Sequence, residues 1–86
     1  MEHTNNRFFP VTKKQLCYAL SLVSPKGKCY YHILRRDYLD DNTLTQLGIT
    51  KNDYHRRSIF PVRISRMMLP LLDLTPADVW PQKTHV

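Results

Sequence analysis

Between residues 50 and 57 the chain sets Thr50, Lys51 and Asn52 before His55, Arg56 and Arg57. Asparagine is built for paired hydrogen bonds to the edge of adenine, and lysine or arginine for guanine, so these residue types suit direct reading of bases. Thr50, Lys51, Asn52 and His55 are therefore candidate base contacts, and Arg56 and Arg57 candidate phosphate contacts. A second set lies earlier. The glycine-containing loop with Lys26 and Lys28 leads into Tyr31, His32, Arg35 and Arg36, where lysines and arginines could grip phosphates while tyrosines stack on unpaired bases. Arg63 adds one more phosphate candidate. Tyrosines at helical spacing are also common core residues, so stacking and packing stand side by side as readings of this segment.

Other chemistries are poorly supplied. Cys29 and His32 have a usable ligand spacing, with Cys17 or His55 as remote complements, but a structural zinc site needs two close pairs, so no metal is expected. The histidines are scattered at 3, 32, 55 and 85, no serine-centred elbow exists, and two glycines cannot build a phosphate loop. Asp40 and Asp41 suit helix capping better than acid–base work. The expectation is a protein that is not an enzyme and takes no cofactor.

Eighty-six residues make one domain, with residues 1–10 as an arm, 11–81 as the folded unit and 82–86 as a tail. The formal net charge of +6 accompanies 42% hydrophobic residues, too apolar for disorder and basic enough to attract polyanions. Charge also comes in blocks. From His3 to Arg36 there are seven lysines and arginines and no acid; from Asp37 to Asp53, four acids and one lysine; from Tyr54 to Met68, four arginines and no acid. Folded onto one face, the two basic blocks would make a continuous positive surface; spread apart, they would be solvated helix faces. Two cysteines and no secretion-type leader or membrane-spanning run point to a reducing, cytoplasmic setting with free thiols and no membrane partner.

Three copies of one phrase must position these residues: Val11-Thr12-Lys13-Lys14-Gln15-Leu16, Ile49-Thr50-Lys51-Asn52-Asp53-Tyr54 and Leu74-Thr75-Pro76-Ala77-Asp78-Val79. In each, threonine accepts from an orphan amide, a polar residue three positions later reaches back, and the flanking apolar pair clasps across the turn. The expected elements are a first helix over about 12–22 and a second over about 29–39. In the second, Tyr30, Ile33, Leu34 and Tyr38 point inward and Tyr31, His32, Arg35 and Arg36 lie at the rim. A short third helix ends at Leu47, Gly48 is its left-handed stop, and a fourth runs to about Arg57. A fifth begins at Pro61 and carries Ile64, Met67, Met68 and Leu71 inward until Pro70 stops or kinks it near Leu69. The fold class is all-α, a compact bundle of five or six short helices.

The run Thr43 to Arg57, with Leu47, Gly48, Ile49 and Thr50 at its turn and Tyr54 as an inward residue, resembles the helix-turn-helix unit of phage repressors. Leu44 and Arg57 depart from that family's small and apolar residues at these positions. Leu71 to Pro81, a leucine-rich segment followed by a polar-proline turn and Trp80-Pro81, is similar to the ending of Ner-like phage DNA-binding proteins, although Gln82-Lys83 replaces their basic-aromatic close. The resemblance implies a repressor-like helical fold and a phage or mobile-element transcriptional regulator. The expected partner is duplex DNA, with a second copy on paired half-sites as a further possibility. An ordinary helical hairpin with a glycine stop fits the same residues. Two other ligands stay open: RNA or single-stranded DNA at the 26–36 segment, and a protein partner docked on Met67, Met68, Leu69 and Leu72.

Overall fold

Helix starts organise the chain. The computed structural model describes residues 7–80, so the expectations for residues 1–6 and 81–86 lie outside the described residues. Strand β1 (Val11–Thr12) runs directly into α1 (Lys13–Ala19), where the Thr12 hydroxyl accepts from the Gln15 amide at 3.0 Å and the Gln15 side chain accepts from the Thr12 amide at 2.9 Å. Thr50 caps α4 (Lys51–Arg56) by accepting from the Asp53 amide at 3.0 Å, and the Asp78 carboxylate in α6 (Pro76–Val79) accepts from the Thr75 amide at 2.8 Å. The apolar pairs that flank these caps turn inward. Val11 with Leu16, and Ile49 with Tyr54, are buried, and Val79 packs inside with half-buried Leu74. Such staples fix the angle at which each helix leaves the loop before it.

Between these starts the chain departs from an all-helical plan. β1 pairs antiparallel with β2 (Ile59–Phe60), Val11 facing Phe60 and Thr12 facing Ile59, so a small two-stranded sheet accompanies six helices among the described residues. Two-residue strands carry no alternation to read, which is why the all-α expectation missed them. α1 ends at Ala19 because Ser21 takes a left-handed φ of 61°, and the chain then makes a narrow hairpin in which Val23 bridges Cys29. With Cys29 held in that bridge, the second helix starts only at Tyr31. It makes one α-turn, α2 (Tyr31–Ile33), and widens into a π-helical stretch over Leu34–Tyr38. The Leu39 amide closes that wide turn on the Leu34 carbonyl at 2.7 Å, and both leucines are fully buried.

α3 (Asp41–Leu47) is capped by Asp40, whose carboxylate accepts from the Thr43 amide at 2.9 Å, and ends on Gly48 at φ 73°. α5 (Val62–Leu71) buries Ile64, Ser65, Met68 and Leu69, followed by Leu72. Met67 and Leu71, expected inward, are exposed. The helix is rotated from that expectation because Ser65 occupies the buried stripe, its hydroxyl donating to the Phe9 carbonyl at 2.8 Å. α5 also runs past the expected stop, since Pro70 sits in its last turn and removes an amide donor only one residue before the helix ends. Phe8 and Phe9 meet Trp80 edge-on, with centroids 6.4 and 5.4 Å away, so the two ends of the described chain close on each other.

Candidate nucleic-acid interface

Three elements bring cations to one groove of about 790 Å³. The start of α1 supplies Lys13 and Lys14; α2 and its π-helical extension supply Tyr31, His32, Arg35 and Arg36; the end of α4 supplies His55, Arg56 and Arg57, with Ser58 beyond. Among the described residues that line it, none is acidic. The local reasons are visible in the backbone. The Lys13 amide donates to the Ser58 carbonyl at 3.3 Å, which ties the start of α1 to the end of α4, and the π-helical turn swings Arg35 and Arg36 toward the same space.

Tyr54 makes the floor. It is 3% exposed and stacks on Phe60, with ring centroids 6.0 Å apart, while Lys13 Nζ stands 3.9 Å above its ring centroid and donates to the Tyr54 carbonyl. Arg35 lies over the same ring at 5.7 Å. A cation over an aromatic face gains from the ring quadrupole, so Tyr54 concentrates positive charge where water is partly excluded. Burial pushes the Tyr54 phenol up to about 12 and lowers the Lys13 ammonium from its usual range.

The cations differ in how free they are. Arg35 donates to the Leu39 carbonyl at 3.2 Å and pairs with Asp41 at 2.6 Å, and Arg36 pairs with Asp37 at 2.9 Å. Arg35 Nε is buried with no hydrogen-bond partner among the described residues. Arg56, Arg57 and Lys14 are exposed, and among the described residues they carry no ion pair. These three are ready for an incoming anion without first giving up a carboxylate.

Of the phosphate candidates, Arg35, Arg36, Arg56 and Arg57 meet in the groove, so the two basic segments read separately in the sequence form one surface. Lys26, Lys28 and Arg63 do not line it: the lysines are exposed on the hairpin near Gly27, and Arg63 is exposed on α5. Of the base-contact candidates, His55 lines the groove. Thr50, Lys51 and Asn52 are exposed at the opposite end of α4, Thr50 engaged as its cap and Lys51 3.4 Å from Asp41. Lys13 and Lys14 were not singled out from sequence. Their available signal was two lysines in a first helical turn, where the helix macrodipole disfavours cations.

The chain, compared with known proteins, matches no family model, no curated protein and no solved structure. Among the described residues no helix is long and apolar enough to cross a membrane, and no three His, Cys, Asp or Glu side chains group as metal ligands. Cys17 and Cys29 are free thiols, and burial with Cys29 beside it pushes the Cys17 thiol up to about 11. The Met/Leu surface considered for a protein partner is mostly interior. Met68, Leu69 and Leu72 are buried and only Met67 of that set is exposed, because the stripe turns with Ser65.

Proposed function

We propose that this protein binds duplex DNA as a small regulator of the phage or mobile-element kind, with one strand's phosphates lying in the basic groove. The observation that carries the reading is the meeting of six lysines and arginines from three separate elements along one groove whose described lining has no acid. Arg56, Arg57 and Lys14 take phosphates directly; Arg35 and Arg36 exchange a carboxylate for one. α4 would then stand against the duplex, its first turn offering Thr50, Lys51 and Asn52 to base edges in the major groove while His55 marks the passage to the backbone. A helix of six residues reaches about 9 Å, which limits direct reading to a few base pairs. A second copy on a paired half-site would extend the site read.

The test is retardation of several duplexes across a salt series. Contacts from six cations correspond to a slope of log affinity against log salt near about −5. Replacing Arg56→Ala and Arg57→Ala together should weaken all duplexes alike and flatten the slope by about 2. Asn52→Ala should change which duplex is preferred more than how tightly any is held. Equal binding by wild type and both variants on every duplex would remove the proposal, and retention of single strands alone would move it to unpaired nucleic acid.

A further inference from the structure

Tyr31 is 46% exposed on the wall of a cationic groove, whereas the other groove tyrosine, Tyr54, is buried, with Lys13 over its ring and Phe60 stacked against it. The groove is also larger than a backbone contact requires. Its volume of about 790 Å³ lies in the range of small-molecule sites, about 300 to about 1,000 Å³, although this groove is open to solvent and does not enclose its occupant. A phosphodiester strand gripped only by its charges would be served by a shallow strip. We propose that the groove seats an unpaired nucleotide, its base stacked on Tyr31 and its flanking phosphates on Arg56 and Arg57, so that the preferred ligand is a DNA duplex carrying a locally unpaired base. This rests on the DNA-binding reading above and narrows it.

The physical logic is additive. Stacking on an exposed aromatic ring is favourable for any base, because every base has a π-face, and it needs no hydrogen-bond code. Taking a base out of a perfect duplex costs unstacking and unpairing energy, and that cost is least where the base is already unpaired. A groove combining one exposed ring with arginines free of carboxylates therefore gains most from a bulged or mismatched position and least from a continuous duplex.

The experiment measures binding of wild type, Tyr31→Ala and Tyr31→Trp to three probes of one sequence: a fully paired duplex, the same duplex with one bulged 2-aminopurine, and the single strand containing it. Wild type should bind the bulged duplex at least about fivefold more tightly than the paired one, and quench the 2-aminopurine as it stacks. Tyr31→Ala should weaken the bulged duplex at least about fivefold more than the paired one, bringing the two to equal affinity; Tyr31→Trp should keep the preference and the quenching. Because Tyr31 is exposed, both variants should retain the wild-type circular dichroism. Equal binding of the two duplexes by wild type, or an equal weakening of both by Tyr31→Ala, overturns the proposal. Failure of every probe to bind overturns the DNA-binding reading with it, whereas paired-duplex binding without preference overturns this inference alone.

Discussion

Asp41 shows how a single carboxylate limits the groove. Its oxygens lie 2.6 Å from Arg35 Nη2 and 3.4 Å from Lys51 Nζ, so one exposed acid engages a cation of the groove wall and a cation at the start of α4. The Arg35 hydrogen bond, with Lys51 adding to it, holds the Asp41 carboxyl below the usual carboxylate range. On the proposed reading an incoming phosphate replaces that carboxylate, and exposed pairs of this kind are weak and screened by salt. Asp41→Asn should therefore tighten duplex binding by about two- to fivefold at low salt, with the gain fading as salt screens the groove. The measurement is the same salt series applied to this variant. Unchanged affinity at low salt would mean that Arg35 and Lys51 do not meet the ligand. The arginines and the asparagine of this region stood out in the sequence as candidates because their side chains carry hydrogen-bonding chemistry whatever the fold. Their competitor did not, since Arg35, Asp41 and Lys51 come together only when the π-helical stretch, α3 and α4 are assembled.

At the scale of elements, what the sequence disclosed was local and what it hid was long-range or irregular. Thr12 with Gln15, Thr50 with Asp53, and Thr75 with Asp78 form within one turn, and their spacing announces them. The β1–β2 pair and the rotation of α5 about Ser65 depend on partners far along the chain, and the π-helical turn that buries Leu34 and Leu39 breaks the ordinary helical spacing. Gly48 belongs to the legible class and permits a clean test. It holds φ 73° between α3 and α4, and a Cβ built there would meet nothing within 4 Å, so any cost of Gly48→Ala is backbone strain without a clash. The left-handed conformation costs an ordinary residue roughly 1 to 2 kcal/mol. Gly48→Ala should lower the unfolding free energy by that amount, read as a lower urea midpoint at unchanged m-value, and Gly48→Asn by less, because asparagine tolerates the conformation better. No difference between glycine and alanine would show that the junction relaxes to another turn, and α4 would then lose its fixed approach to the groove.

For the whole molecule, the groove floor and the core beneath it form one buried unit, and alkaline pH probes it. Burial pushes the Tyr54 phenol up to about 12, and burial with Cys29 nearby pushes the Cys17 thiol up to about 11. The unfolded chain ionises these groups near their ordinary values, about 10 for tyrosine and about 8.5 for cysteine. Both folded values are raised, so the stability they contribute is fully present below the unfolded values and is lost as pH rises through the folded ones. Lys13 runs the other way. Burial lowers its ammonium, and its discharge relieves the folded state as pH rises, offsetting part of the loss. The melting temperature should thus hold near neutral pH and fall progressively from about pH 9 toward about pH 12. Two variants divide the fall between its sources. Cys17→Ala should flatten its earlier part and Tyr54→Phe its later part, with the slope against pH as the readout, because either substitution also shifts the baseline by repacking. With five tyrosines in the chain, the tyrosinate absorbance of Tyr54 is read as the difference between wild type and Tyr54→Phe, and it should appear together with unfolding and not before it. If that absorbance instead rises in a chain still folded by circular dichroism, the phenol reaches water, and Lys13 and Arg35 do not stand over a dry ring at the bottom of the groove.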